Sequence, residues 1–347
     1  MKRLFSTCRA VIAVALTLCM SVLIAGCGGS DSSNNAPASG DKVELKLAYH
    51  LPAEHHLGKS MDRFAKRVEE KSGGKMTVTL YPAGQLYTDK SMNDAIMSGG
   101  LDMGLNSTAM WTTVLPVLNV LDVPFLLLNY DSVAKALDGG LGDTLNAEFE
   151  SKGVHNLIWA DYGYVQFANN KRELRKPEDF EGLQLRGYGQ IPAETIKALG
   201  ASPVTMGAAE VYTAIQRGTI DGQTSGTTAM LARKIYEVAK YLTITNHAFC
   251  EFTLAMNKDK WDSLTPEQQK VLSEAAAETQ EEIRNETKNE DLQTTEALKA
   301  EGMEVFTVPE EEMPLWQAAT MKVREDFIRE NGEIGQKVVD ECLKANE

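Results

Sequence analysis

The chain of 347 residues lacks the short motifs that commonly mark a catalytic centre. There is no Gly-x-Ser-x-Gly, no His-Glu-x-x-His, no phosphate-binding P-loop and no Gly-x-Gly-x-x-Gly after a strand-like run. Acidic side chains could act as acids or bases, but 49 of them place some pairs together by chance. The sequence therefore gives no support to an enzyme, and an exported enzyme on an α/β scaffold stays open only as a remote alternative.

Positive charge is also scarce, with 35 Lys and Arg residues against 49 Asp and Glu residues and a formal net charge of −14. Proteins that bind nucleic acid need a basic surface to neutralise phosphates, so nucleic acid is excluded as an expected partner. Hydrophobic residues make up 43% of the chain and charged residues 24%, which is typical of a globular protein that buries a core. The length predicts about two domains.

Cysteine is rare, and three of the five cysteines fall within the first 27 residues. Three basic residues there precede an apolar run over 10–25, which is shorter than the ~20 residues that a membrane-spanning helix needs. The run ends in Leu-Ile-Ala-Gly-Cys, which resembles a bacterial lipobox. We therefore expect 1–26 to be a lipoprotein signal peptide and Cys27 to be the lipid-modified first residue of the mature protein. An ordinary secretory signal with an incidental cysteine is the alternative.

A polar segment follows the predicted signal. Residues 28–41 are rich in Gly, Ser and Asn and lack large apolar side chains, which is typical of a flexible linker. A linker of this kind suits a domain held at a membrane by a lipid. We therefore assign 27–42 to a tether and expect the protein in the periplasm or at the cell surface, anchored to the membrane through Cys27.

Strand-like and helix-like patterns alternate twice along the rest of the chain. Residues 43–150 alternate in the order strand, helix, strand, helix, strand, and 151–250 begin a similar series, which predicts two α/β lobes with mostly parallel strands. Residues 251–347 would supply the strands that cross between the lobes and the C-terminal helices. After Pro266, the segment to Ala300 contains neither glycine nor proline. A helix of that length is ~52 Å long, so it must cross both lobes or project from them.

A cation in the segment EGLQLRGYGQ has an unusual position for so acidic a chain. Leu183 and Leu185 alternate with polar residues as in a half-buried strand, and Arg186 stands at its end, directly before Gly187. Ligands of open α/β sheets bind beyond the carboxyl ends of the strands. We therefore expect Arg186 to face a ligand crevice, with a structural ion pair to Glu181 or another acid as the alternative.

Five segments, in this order, resemble one known family: GQL at 84–86, SGGLDMG at 98–104, LDVPFLL at 121–127, PEDFEGLQLR at 177–186 and AEVYTAIQRGTIDGQ at 209–223. They are similar to the DctP-type substrate-binding proteins of tripartite ATP-independent periplasmic (TRAP) transporters, and the similarity runs from about Val43 to the C-terminus. The resemblance implies a two-lobed fold like that of periplasmic binding proteins, with the long C-terminal helix crossing both lobes.

The resemblance also implies a function. The protein would close on a small organic anion, a carboxylate or a sulfonate, and deliver it to small and large, or fused, membrane subunits driven by an ion gradient. No cofactor is expected. A receptor for an ATP-driven importer, or a chemoreceptor, is the alternative among binding proteins.

The family's carboxylate-binding arginine corresponds to Arg186, whose planar guanidinium matches a carboxylate with two parallel hydrogen bonds. The sequence departs from the family at the place of a second ligand arginine, where Val165 stands. It departs again at Thr224 and Ser225, where relatives often carry an amide, and at Tyr188, which follows the arginine in place of Val-Pro. These departures predict one cation fewer, more hydroxyls, and a ligand smaller or more weakly charged than a dicarboxylate.

Several other residues near predicted strand ends are candidate ligand contacts. Gln166 and Tyr188 are candidate pocket residues, and Trp111 could form an apolar wall. Ser107 could donate to the ligand or cap a helix instead. His55 could contact the ligand or belong to a solvated loop or helix start.

Metal binding has little support in the sequence. His50, His55 and His56 lie close together, but adjacent histidines do not easily turn to one ion, so no metal site is predicted. Cys250 and Cys342 lack metal-site spacing, and the sequence leaves open whether they form a disulfide or two buried free thiols.

Overall fold

The computed structural model describes residues 42–347, so the predicted signal peptide, Cys27 and nearly all of the tether lie outside the described residues. One mixed sheet runs through this part of the chain, with strand order β2-β1-β3-β8-β4-β7-β5-β6 and with β9 paired to β8. The strands are β1 (Val43–Tyr49), β2 (Met76–Tyr81), β3 (Met103–Ser107), β4 (Val154–Asn169), β5 (Gln184–Gly187), β6 (Ser202–Thr205), β7 (Gly222–Gly226), β8 (Tyr241–Asn257) and β9 (Glu304–Thr307).

Two long antiparallel strands, β4 and β8, divide the sheet into two lobes. The carboxyl-terminal part of β8 pairs with β3, and β3, β1 and β2 are parallel to one another, which makes the first lobe. The carboxyl-terminal part of β4 pairs with β7, and β7, β5 and β6 are parallel to one another, which makes the second lobe. This is the two-lobed α/β fold that the sequence predicts.

The crossing strand β4 is a single continuous strand. Residues 153–171 read as two strand-like runs, but β4 is continuous, with register shifts against β8 that include one between Asp161 and Gly163. A bulge adds one residue to one strand and interrupts the period-two pattern without ending the strand. The predicted lobe boundaries at 150 and 250 stay a prediction. In the structure, the chain passes from one lobe to the other within β4 and within β8.

Helices cover both faces of the sheet. They are α1 (His56–Lys71), α2 (Met92–Met97), α3 (Tyr130–Leu137), α4 (Gly140–Ser151), α5 (Gln190–Ala198), α6 (Val211–Gln216), α7 (Thr227–Ala232), α8 (Lys258–Asp262), α9 (Pro266–Ala300) and α10 (Met313–Ala345). In α10, the backbone at Gly332 leaves the helical region (φ 60°, ψ −135°), where glycine is favoured, and the helix kinks there. Cys342 on α10 and Cys250 on β8 are both buried and unpaired.

The predicted long helix is α9. Its first turn is fixed by a capping box, in which Thr265 accepts from the backbone N–H of Gln268 and the Gln268 side chain accepts in return. Leu272 and Ile283 pack into the core of the first lobe beside α1, and Leu298 packs into a core of the second lobe. The helix therefore stabilises both lobes at once. Within residues 42–347, no helix combines the length and apolar character needed to cross a membrane.

Candidate functional site

A cavity lies between the lobes, where the parallel strands of both lobes end and β4 and β8 cross. It encloses about 400 Å³ free of protein atoms, part of it open to solvent. Leu51, Met110, Ala208 and Phe252 give it apolar walls. Its polar lining includes His50, Asp89, Ser107, Arg186, Ser225 and Arg233.

Arg186 is the cation that the strand pattern placed at a ligand crevice. It ends β5 and is only 4% exposed, its Nε donates to the carbonyl oxygen of Met206 at 3.1 Å, and its guanidinium carbon lies 5.7 Å from the centre of the Tyr188 ring. Burial, and next the positive charge of Arg233, lower the pKa of Arg186 to about 10. In the described chain it forms no ion pair with a carboxylate, Glu181 included.

A second guanidinium lines the cavity, and the sequence reasoning missed it. Arg233 caps the carboxyl end of α7, just before Lys234 adopts a left-handed backbone conformation (φ 54°). Its Nη2 atom is buried and has no hydrogen-bond partner among residues 42–347. The expectation of one cation fewer than in relatives, drawn from Val165, stays a prediction, and the cavity is lined by two arginines. Basic residues are common at the carboxyl ends of helices because they interact favourably with the helix dipole. The local sequence therefore does not mark Arg233 as a cavity residue.

Neutral hydrogen-bonding groups complete the polar lining of the cavity. Ser225 on β7 holds its Oγ 3.1 Å from the Tyr162 hydroxyl, and Ser107 ends β3, where its Oγ accepts from the backbone N–H of Ala109. Ser107 therefore both caps a turn and lines the cavity. Burial, followed by the charge of Arg233, lowers the pKa of His50 to about 3, and its buried Nδ1 has no partner in the described chain.

Two hydrogen bonds join the lobes beside the cavity. Tyr188 directly follows β5, and Asp122 lies in the connection that follows β3. The Tyr188 hydroxyl donates to Oδ1 of Asp122 at 2.6 Å. Burial raises the pKa of Asp122 to about 7, although the bond from Tyr188 lowers it. Asp89, from the first lobe, accepts from the backbone N–H of Ala208 in the second lobe at 3.2 Å. These contacts hold the cavity in a closed arrangement.

Two predicted contacts, on β4 and β7, do not line the cavity. Gln166 donates to Oδ1 of Asn246 at 2.6 Å, and its side-chain carbonyl accepts from the backbone N–H groups of Thr245 and Asn246, so it is held against β8. Thr224 is fully buried and lies 3.5 Å from His247 Nε2. Because side chains alternate along a strand, Ser225 faces the cavity and Thr224 faces the opposite side.

Trp111 and His55 are also structural. Trp111 is fully buried and packs edge-on against Phe149 at 5.2 Å, because the turn after Ser107 carries it into the core and leaves Met110 at the cavity. His55 caps α1 through Nδ1, and its Nε2 lies 3.0 Å from the Thr228 hydroxyl. In the part of the chain that the structure describes, no group of three or more His, Cys, Asp and Glu side chains is arranged to hold a metal.

Comparisons with known proteins converge on one kind of protein. The family model described as "Bacterial extracellular solute-binding protein, family 7" matches residues 47–331. The 2,3-diketo-L-gulonate-binding periplasmic protein YiaO of Escherichia coli is 30% identical over 288 residues, which cover 83% of this chain and 86% of YiaO.

Solved structures agree with this match. The sugar acid binding protein DctPAm of Advenella mimigardefordensis, in complex with galactonate, superposes with a TM-score of 0.84 at 28% identity, covering 88% of this chain and 99% of that one. A TRAP periplasmic solute-binding protein of Sulfurospirillum deleyianum with bound succinate gives a TM-score of 0.80 at 27% identity, covering 87% and 98%.

Proposed function

Since the chain belongs to the bacterial extracellular solute-binding proteins of family 7, the DctP family of TRAP receptors for small organic acids, we propose that its interlobe cavity holds the carboxylate of such an acid against Arg186. One observation carries the proposal: the Arg186 side chain is almost fully buried, lines the cavity and has no carboxylate partner in the described residues. A buried charge without a counter-charge is costly. A ligand carboxylate would supply that counter-charge.

The chemistry of the site suits a carboxylate more than an uncharged solute. A guanidinium offers parallel N–H donors to the two oxygens of a carboxylate, and each charge-assisted bond contributes ~1.5–3 kcal/mol. Ser107, Ser225 and the neutral His50 can donate to or accept from hydroxyl groups on the rest of the ligand. Galactonate, succinate and 2,3-diketo-L-gulonate, named for the relatives, are all carboxylates. We therefore propose a sugar acid or a short dicarboxylate as the ligand.

The proposal extends to partners and location. The receptor would release its ligand to the membrane subunits of a TRAP transporter, without chemical change to the ligand, so no turnover is expected. The lipid on Cys27 and the tether would hold the receptor at the membrane surface. Replacing Cys27 by alanine and fractionating cells tests the anchor: the wild-type protein should be in the membrane fraction and Cys27→Ala in the soluble fraction. A soluble, unmodified wild-type protein would refute it.

A thermal-shift screen tests the ligand class. Galactonate, gulonate, succinate and glucuronate should raise the melting temperature of the wild-type protein to different extents, since a ligand present at 100 times its Kd stabilises by ~2.7 kcal/mol. The uncharged galactitol serves as the matched control and should give no shift. Arg186→Ala should abolish the shift with every acid. A shift that survives in Arg186→Ala would show that the carboxylate binds elsewhere.

A further inference from the structure

Strand β5, which carries Arg186, runs directly into a segment that docks onto the other lobe. Two residues after Arg186, the Tyr188 hydroxyl donates to Asp122 of the first lobe at 2.6 Å. The next residue, Gly189, lies so close to the first lobe that an added Cβ would stand 3.0 Å from the Ala109 Cβ. Since Arg186 and Tyr188 belong to one short stretch of chain, a ligand that draws the lobes together also brings Tyr188 onto Asp122.

Asp122 is buried at this junction, and only one of its two carboxylate oxygens has a donor. The residue is 1% exposed. Its Oδ1 accepts from Tyr188, whereas its Oδ2 is buried and has no hydrogen-bond partner among residues 42–347. An ionised carboxylate in that condition loses the water that solvated Oδ2 and gains no donor in exchange. The closed arrangement therefore favours the protonated form, and burial raises the pKa of Asp122 to about 7.

Two titratable groups face Asp122 in the part of the chain that the structure describes. Tyr188 lies on the segment after β5 and Cys250 lies on β8, and burial raises the pKa of both, so both are neutral near pH 7. Helices α5 and α10 also pack against the connection that carries Asp122, but no charged side chain of their described residues shifts its pKa. Asp122 thus has no counter-charge there, and its protonation depends on whether water reaches it.

We propose that closure of the lobes on a ligand is coupled to protonation of Asp122, so that the receptor takes up a proton as it binds and holds its ligand more tightly at low pH. When the lobes separate, Tyr188 withdraws and water reaches the carboxylate. The pKa of Asp122 then falls towards its ordinary value of 3.8. The inference rests on the proposed function only in that an organic acid closes the lobes; it concerns the movement and not the chemistry of the ligand.

The affinity gained through Asp122 depends on pH in one direction. The closed form binds more protons than the open form between about pH 4 and about pH 7, so this gain falls as pH rises towards 7 and is nearly absent above it. Between pH 6 and pH 8 the loss amounts to about tenfold in affinity. His50 acts in the opposite direction, because burial in the cavity lowers its pKa to about 3. The effect of Asp122 is therefore measured between proteins that share His50.

Calorimetric titration of wild type and Asp122→Asn tests the coupling, because asparagine keeps an acceptor for Tyr188 but cannot take up the proton. The titrant is the acid with the largest thermal shift among galactonate, gulonate, succinate and glucuronate. From pH 6 to pH 8, wild type should lose about tenfold more affinity than Asp122→Asn. At pH 6.5, titrations in buffers of different ionisation enthalpy should show wild type taking up at least about half a proton more per ligand. Asp94→Asn, which changes an exposed aspartate of the first lobe, should behave as wild type.

Parallel pH profiles and equal proton uptake in wild type and Asp122→Asn would overturn the inference. If Asp122→Asn does not fold, Tyr188→Phe provides the test. It removes the donor that favours the ionised carboxylate, so proton uptake at pH 7.5 should rise, and an unchanged or smaller uptake would overturn the inference.

Arg186→Ala judges the proposed function separately. A loss of affinity in Arg186→Ala, together with equal proton uptake in wild type and Asp122→Asn, would leave the proposed function standing and overturn the inference alone. Unchanged affinity in Arg186→Ala, together with the extra proton uptake that Asp122 predicts, would overturn the proposed function and support the inference.

Discussion

At the scale of single residues, the crossing strands bury two carboxyl groups side by side, which is unusual in a protein core. Asp161 on β4 and Glu251 on β8 are directly opposite each other in the sheet, and both are fully buried. One guanidinium faces them, that of Arg284 on α9, whose Nε lies 3.8 Å from Asp161 Oδ1 and which also pairs with Asp138. Two buried carboxyl groups thus share one partly buried cation.

This pair predicts a dependence of stability on pH. Burial raises the pKa of Asp161 to about 7 despite Arg284, and burial and Asp161 raise that of Glu251 well above its usual range. Folding therefore takes up protons, and the stabilisation is present at low pH and lost as pH rises through about 7. Relative to wild type, Glu251→Gln should gain stability between pH 6 and pH 8, by up to about 1.4 kcal/mol per pH unit.

Urea unfolding at pH 6, 7 and 8 measures this effect. Glu301→Gln, which changes an exposed glutamate, is the matched control and should follow the wild-type pH profile. The burial argument fails if Glu251→Gln and Glu301→Gln show the same pH dependence.

At the scale of the element, α9 acts as a brace that both lobes need. Ile283 has no exposed surface and packs in the core of the first lobe, whereas Leu292 on the same helix is 62% exposed. Ile283→Ala should lower the free energy of unfolding by ~2–5 kcal/mol, because it leaves a cavity that the core cannot fill. Leu292→Ala should change it by less than ~0.5 kcal/mol. Urea unfolding of both variants measures these changes. Similar losses of unfolding free energy in Ile283→Ala and Leu292→Ala would contradict the assigned burial.

Truncation before Pro266 tests the same element more severely. Removing α9 and α10 deletes apolar side chains from cores in both lobes, so the shortened chain should not unfold cooperatively. Cooperative unfolding with native ligand affinity would show that the helices are appendages.

The elements also show what a sequence can predict. The bounds of α9 follow from local signals, since the capping residues and the absence of glycine are read directly from the chain. The continuity of β4 does not, because bulges break its alternation and only pairing with β8 reveals one strand. The sequence alone does not show whether Ser225 or Thr224 lines the cavity, because that depends on the strand register. Arg233 could not be predicted, because only the packing of α7 against β7 and α9 brings it to the cavity that Arg186 lines.

At the scale of the whole molecule, closure is maintained by a few bonds between the lobes, and the Tyr188–Asp122 bond is the most buried of them. Tyr188→Phe removes the hydroxyl while keeping the ring beside Arg186. It should weaken ligand binding by up to roughly tenfold, since a hydrogen bond contributes ~0.5–1.5 kcal/mol net and this one forms between lobes.

Tyr212→Phe is the matched control. It removes an equally short bond, 2.6 Å to Glu237, but within the second lobe. Calorimetric titration with the acid that gives the largest thermal shift should therefore show a loss for Tyr188→Phe only. Equal affinities for the two variants would show that the interlobe bond does not contribute to closure on the ligand.

The central claim, that Arg186 binds the carboxylate of the transported acid, is tested most directly by titrating wild type, Arg186→Ala and Arg186→Lys with that same acid. Arg186→Ala should lose at least about a hundredfold in affinity, or ~3–5 kcal/mol, and Arg186→Lys should recover only part of it. Stability without ligand should change little, since water can solvate the guanidinium when the lobes open. If Arg186→Ala binds the acid as tightly as wild type but unfolds more easily, the arginine is structural and the account is wrong.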